Sequence, residues 1–221
     1  MPSAPLIQGI EVLHVDADLL VLDKPAGLLA VPGRGADKQD CLSARVQQQF
    51  ADALIVHRLD MATSGLMLMA RGAAMQRELS RAFASRMVHK RYIAVVDGHV
   101  QAPADDWGVI DLPILVDWPR RPLRIIDAGG QASVTHWRVI SLETGPDGQP
   151  QTRLELEPVT GRSHQLRVHL QAIGHPILGD ALYGDEATLM RSPRLLLHAS
   201  RLSLTHPQSG YALNLERPPP F

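Results

Sequence analysis

Short apolar runs and alternating stretches dominate the chain, and helical spacing surfaces in few places. Glu11–Val15 and Leu19–Asp23 read as a hairpin turning at Asp16-Ala17-Asp18. Lys24-Pro25-Ala26-Gly27 breaks it, and Val31-Pro32-Gly33-Arg34-Gly35 is loop. Asp40 is placed to N-cap a helix across Leu42–Phe50. Gly65–Ala70 is continuously apolar and predicts a buried strand. In Ala73–Arg86, Met75, Leu79, Ala82 and Phe83 recur at i, i+4, i+7 and i+8, which predicts an amphipathic helix. Arg91–Asp97, Ala132–Ile140 and Gln151–Glu157 read as strands, with Leu154 and Leu156 alternating with charged residues. Ser163–Ile173 reads as a third helix, opened by Thr160-Gly161 and closed by Gly174, followed by strands over Leu195–Leu204 and Ala212–Leu215. Strands in blocks, without regular βα alternation, argue for an α+β fold. Gly145-Pro146-Asp147-Gly148 reads as a hairpin tip, and no linker is long enough to part independent domains.

Composition narrows the class. The hydrophobic fraction of 45% and charged fraction of 20% suit a soluble globular chain of 221 residues. One cysteine, Cys41, excludes an internal disulfide. The first residues lack a basic segment ahead of an apolar run, and no stretch approaches the roughly 18 apolar residues of a membrane helix. A cytoplasmic location is the expectation.

The net charge of −1 does not outline a general nucleic-acid binder, but its distribution is uneven. Residues 77–92 hold Arg77, Arg81, Arg86, Lys90 and Arg91 against Glu78, and residues 117–124 hold Arg120, Arg121 and Arg124 against Asp117. Such segments suit a polyanion contacted locally, or simply a solvated helix face and a loop.

Most chemical templates fail. There is no G-x-S-x-G elbow, phosphate-binding loop or dinucleotide fingerprint. His164 and His169 are five apart and would not converge on one helix face, and His175, His198 and His206 show no ligand spacing. What remains is His57-Arg58-Leu59-Asp60-Met61-Ala62-Thr63-Ser64-Gly65, a lone carboxylate between an arginine and a small-residue turn. On these residues alone Asp60 is either a turn-capping side chain or a reactive group. Thr160-Gly161-Arg162 presents a second arginine fork before a helix, suited to a carboxylate or phosphate.

Six elements, in order, resemble the RluA-type pseudouridine synthases. They are Lys24-Pro25-Ala26-Gly27, the His57–Gly65 segment, Lys90-Arg91-Tyr92-Ile93-Ala94, Thr160–His169, Gly174-His175-Pro176-Ile177-Leu178-Gly179-Asp180 and Leu195-Leu196-Leu197-His198-Ala199. The similarity runs from about Val12 to Pro207. Ser163, where the family often has Thr, is a mild departure. The resemblance implies a mixed, largely antiparallel sheet with flanking helices and a central RNA-binding cleft. It implies one catalytic domain over residues 1–221, without the N-terminal S4 domain of many relatives, since only 23 residues precede Lys24.

By the same resemblance Asp60 is the essential catalytic residue, Tyr92 packs against the target uracil as a candidate base, and Arg162 pairs with the aspartate. Arg58 takes the gap left by a flipped base, beside His57. Arg86, Lys90, Arg120, Arg121 and Arg124 are provisional RNA contacts. The implied reaction isomerises uridine to pseudouridine in ribosomal-RNA and tRNA stem-loops. It is redox-neutral, so no cofactor or metal is expected, and a monomer is the expected state. An ionised aspartate suits addition to C1′, support of an oxocarbenium-like centre, or removal of the C2′ proton, and an adjacent arginine favours the anion.

Overall fold

The computed structural model describes residues 6–221. In chain order they form β1 (Leu6–Ile7), β2 (Ile10–Val15), β3 (Leu19–Lys24), α1 (Leu42–Gln47), β4 (Ala53–Ile55), β5 (Ser64–Arg71) and α2 (Gly72–Ala84). Next come β6 (His89–Asp97), β7 (Gly108–Asp111), β8 (Ile114–Val116), β9 (Arg124–Ile126), β10 (Val134–Thr144) and β11 (Pro150–Pro158). The remainder is α3 (Gln165–Ala172), α4 (Glu186–Met190), β12 (Leu197–Thr205) and β13 (Ala212–Glu216). The class is α+β, with mostly antiparallel pairing and a parallel pairing of β5 with β12. No helix among the described residues is long and apolar enough to cross a membrane.

The chain divides into two compact units. The first holds residues 6–90 and His198–Pro220. Its strands run in the order β1-β2-β3-β5-β12, with β13 on β12 and β4 on β5. Alternate residues of β3 and β5 (Leu19, Val21, Leu66, Leu68, Ala70) meet Met75 and Leu79 of α2, together with Leu202, Leu204 and Leu213. This is the apolar face expected from the i, i+4 spacing, buried on a strand that is apolar on both sides.

The second unit, Arg91–Leu197 with Phe221, orders its strands β6-β11-β10-β7, all antiparallel. Gly145–Gly148 closes β10 on β11, as the turn residues predict. The β8–β9 hairpin lies apart from that sheet, with Ile114 packed on Val168 of α3 and on Tyr183, flanked by Leu123 and Ile126.

Four expectations shift. Asp40 does not cap α1; the N-cap is Cys41, and the Asp40 carboxylate pairs with Arg45 at 2.6 Å. The helix ends at Gln47 rather than Phe50. α3 starts at Gln165, two residues later than expected, because His164 adopts a left-handed conformation (φ 59°). Residues 117–124, read as a basic loop, are the tip of the β8–β9 hairpin and the start of β9.

Candidate active site

In the first unit, the segment bearing Asp60 is fastened from several sides. The Thr63 N–H donates to the Asp60 carbonyl at 3.1 Å, so a main-chain bond closes this turn. The next carbonyl, Met61 O, accepts from Gly27 N–H at 2.8 Å and from the Lys24 ammonium at 3.2 Å. That ammonium also donates to Leu28 O (2.7 Å) and Pro25 O (2.8 Å) and is fully buried, so its charge is solvated by carbonyls instead of water. The Lys24-Pro25-Ala26-Gly27 element thus clamps the Asp60 loop.

The loop's ends are held equally firmly. His57 Nε2 accepts from Leu68 N–H at 2.9 Å, and the imidazole stacks on Phe83 with centroids 4.5 Å apart. An accepting Nε2 requires a neutral ring, and burial, with Lys90 adding to it, pushes the His57 pKa down to about 3. The Lys90 ammonium is 6.0 Å from the same Phe83 ring, and burial lowers its pKa as well. His57 and Lys90 are therefore built into the packing of this unit.

At the other end Ser64 Oγ meets His198 Nδ1 at 2.8 Å, while His198 Nε2 reaches Arg217 O at 3.1 Å. The carbonyl can only accept, so Nε2 carries the proton and the serine hydroxyl donates to Nδ1. Gly65 has φ +109°, and a Cβ there would sit 2.3 Å from Ala199 O. Only glycine lets β12 lie this close. Arg58 is exposed on the same loop, and Arg86 is exposed just beyond α2 with φ 59°.

In the second unit, Tyr92 is 8% exposed on β6, opposite Leu156 of β11. Arg162 is exposed before α3, with its Nε donating to Ala132 O at 3.2 Å. Its backbone is set by Gln165, whose Oε1 accepts from Arg162 N–H (3.0 Å) and Thr160 Oγ (2.7 Å). Gln165 Nε2 donates to Val134 O and Thr135 Oγ, at 2.9 and 3.0 Å. Every hydrogen-bonding site of this buried amide is used, which makes Thr160–Arg162 a constructed loop.

Tyr183 ties the same region to the β8–β9 hairpin. Its hydroxyl accepts from Arg124 N–H at 2.9 Å and lies 2.6 Å from His164 Nδ1. Burial pushes the phenol pKa up to about 12, so it remains a donor for His164. Arg120 pairs with the buried Asp117 at 2.6 Å, Arg121 lies over Trp118, and the Arg124 guanidinium folds back onto Pro122 O and Leu123 O. One hairpin thus gathers Arg120, Arg121 and Arg124. Residue type alone gives no signal for Lys24, Gln165, Tyr183 or Trp118; the first two are marked only by their places in the family-like segments.

The fold also assembles a group the histidine spacings did not suggest. Asp16, Asp18 and His206 of the first unit present oxygen and nitrogen atoms within 4.8 Å of one another. His206 Nδ1 accepts from Gln208 and Ser209 N–H at 3.3 and 3.2 Å, so the ring proton sits on Nε2, facing Asp16 at 3.2 Å. Buried His206 Nε2 thus lies against the Asp16 carboxylate without forming a hydrogen bond.

Comparison with known proteins agrees with these elements. A model of the RNA pseudouridylate synthase family matches residues 18–172. The dual-specificity RNA pseudouridine synthase RluA of Yersinia pestis is 47% identical over 206 residues, 93% of this chain and 97% of that protein. RluA of Escherichia coli K12 is 44% identical over 220 residues, 99% of this chain and 97% of its own length. Among solved structures, human RNA pseudouridylate synthase domain containing 1 superposes with a TM-score of 0.81 at 28% identity, covering 98% of this chain and 86% of that one.

Proposed function

The chain belongs to the RNA pseudouridylate synthase family, and from that premise we propose that it modifies stem-loops of both ribosomal RNA and tRNA. The activity is that of an RNA pseudouridine synthase, an isomerase. The N1–C1′ bond of a uridine breaks, the uracil turns, and a C5–C1′ bond forms while the C5 proton is released and N1 is protonated. No atoms are gained or lost overall.

Asp60 is the group we assign to the ribose, where its carboxylate opposes positive charge developing at C1′. The observation that carries this is its loop: Lys24, Gly27, Thr63 and His57 hold the segment around one carboxylate. Such anchoring is what a positioned reactive group needs and a solvated turn does not. Tyr92 is assigned to the face of the uracil and Arg162 to keeping a carboxylate ionised. A uridine in a stem-loop must leave its stack to react, and Arg58 is assigned to the space it vacates. His57 and Lys90, despite their structural duties, and Arg86, Arg120, Arg121 and Arg124 line the RNA side of the proposal.

The enzyme is proposed to act in the cytoplasm as a monomer without metal or cofactor. Transcribed stem-loops carrying C5-tritiated uridine test the reading. Tritium release with recovery of pseudouridine, undiminished by a chelator, is expected. Free uracil with an abasic site, or no reaction on either RNA class, overturns it.

A further inference from the structure

The β8–β9 hairpin carries a feature that charge alone does not explain. Trp118 is 64% exposed at its tip, where an indole loses the benefit of burial. Around it the turn is built with care. Asp117 N–H donates to Leu123 O at 3.1 Å, Arg120 N–H to Asp117 O at 3.2 Å, and Leu123 N–H to Arg120 O at 3.0 Å. The buried Asp117 carboxylate takes both the Arg120 N–H and its guanidinium. Arg121 Nε donates to Trp118 O at 3.2 Å, and its guanidinium lies 4.7 Å from the indole centroid.

We propose that Trp118 is a stacking platform for an unpaired base of the RNA substrate, with Arg121 and Arg120 taking the adjoining phosphates. The idea rests on the RNA-modifying reading above. An aromatic face beside guanidinium groups is the combination that single-stranded nucleic acid needs, one part for the base and the other for its phosphate. Arg121 covers part of the ring while much of it stays open. The platform is also seated: Leu123 and Ile126 pack beside Val168 of α3, and Arg124 N–H is fixed on Tyr183 Oη, which meets His164 near Arg162. A base held on Trp118 would thus be placed by the same framework that places the Arg162 loop within this unit.

The test uses the full chain carrying Asp60→Asn, so that binding is measured without turnover. Its probes are an RNA stem-loop with unpaired loop bases and a fully paired RNA duplex of equal length. Trp118→Ala is expected to weaken stem-loop binding about tenfold, and Trp118→Phe far less, because any aromatic face stacks. Duplex affinity should not change, and neither should the salt dependence of stem-loop binding, since no charge is removed. Wild-type indole emission should be quenched by the stem-loop, and Trp118→Phe should lose that quenching even if Trp118→Ala proves unstable. Equal losses on both probes, or none on the stem-loop, overturn the platform. Failure of the parent protein to bind either RNA would instead overturn the reading on which it rests.

Discussion

Residues 57–65 of the first unit and 117–124 of the second are both short, polar connections, yet they are constructed differently. The first is locked: Lys24 is fully buried beneath it, His57 is stacked on Phe83, and Gly65 lies against β12. The second is held at Asp117, Leu123 and Arg124 and by bonds within its own turn, yet it leaves Trp118 64% and the Arg120 side chain 70% exposed. A group that acts on one atom needs a fixed backbone, whereas residues that gather a flexible polyanion need reach. The difference separates a place for chemistry from a place for capture.

The contrast breaks first at Asp60. Asp60→Asn keeps the size and the turn, and pseudouridine formation is expected to fall at least about 10³-fold while RNA affinity stays within a few-fold. Turnover near wild type would show that the locked loop serves another end. Gly65→Ala asks whether the lock itself matters. A methyl group 2.3 Å from Ala199 O must displace backbone, and a loss of about 3 kcal/mol or more in denaturant unfolding is expected. An unchanged midpoint would mean that β12 shifts without cost.

Lys24→Met removes the charge but keeps much of the stem. It leaves Leu28 O without its ammonium donor, costing about 1–3 kcal/mol, and single-turnover activity should fall more than RNA affinity does. Equal falls in both would assign Lys24 to binding.

Acid tests the same loop through His57. Its folded pKa of about 3 lies below the ordinary value of 6.5, so between them the unfolded chain binds the extra proton. The neutral ring's contribution is fully present above pH 6.5 and declines as pH falls toward 3. Between pH 7 and 5 this should remove about 2 kcal/mol, seen as a falling melting temperature that flattens in His57→Gln. His169 of the second unit, lowered by burial among Thr135 and Leu112, contributes in the same direction and should persist in that variant. The smallest effect belongs to the exposed hairpin. Replacing Arg120 and Arg121 together by Ala should reduce the slope of log affinity against log salt by up to about two, and an unchanged slope would remove them from the RNA contact.

The strand blocks, the α2 face and the hairpin tip at Gly145–Gly148 were legible because side-chain periodicity and turn chemistry are local properties. The recognised elements led to Asp60, Tyr92 and Arg162 by resemblance, but residue chemistry alone left Asp60 between a cap and a reactant. Other features were silent. The β8 and β9 strands are three residues each, too short for a period to declare itself. A lysine is read as exposed by default, so the buried Lys24 clamp became visible only when Pro25, Leu28 and Met61 turned their carbonyls toward it. The sequence by itself determined the longer strands and the α2 helix, and which residue types each of them presents. Only the tertiary structure decided that Gly65 must lack a side chain, because its constraint, Ala199 of β12, arrives from far along the chain. It likewise decided that Gln165 and Tyr183 organise the Arg162 loop and the Arg124 strand, since a hydrogen bond depends on where its partner is brought and not on the residue that offers it.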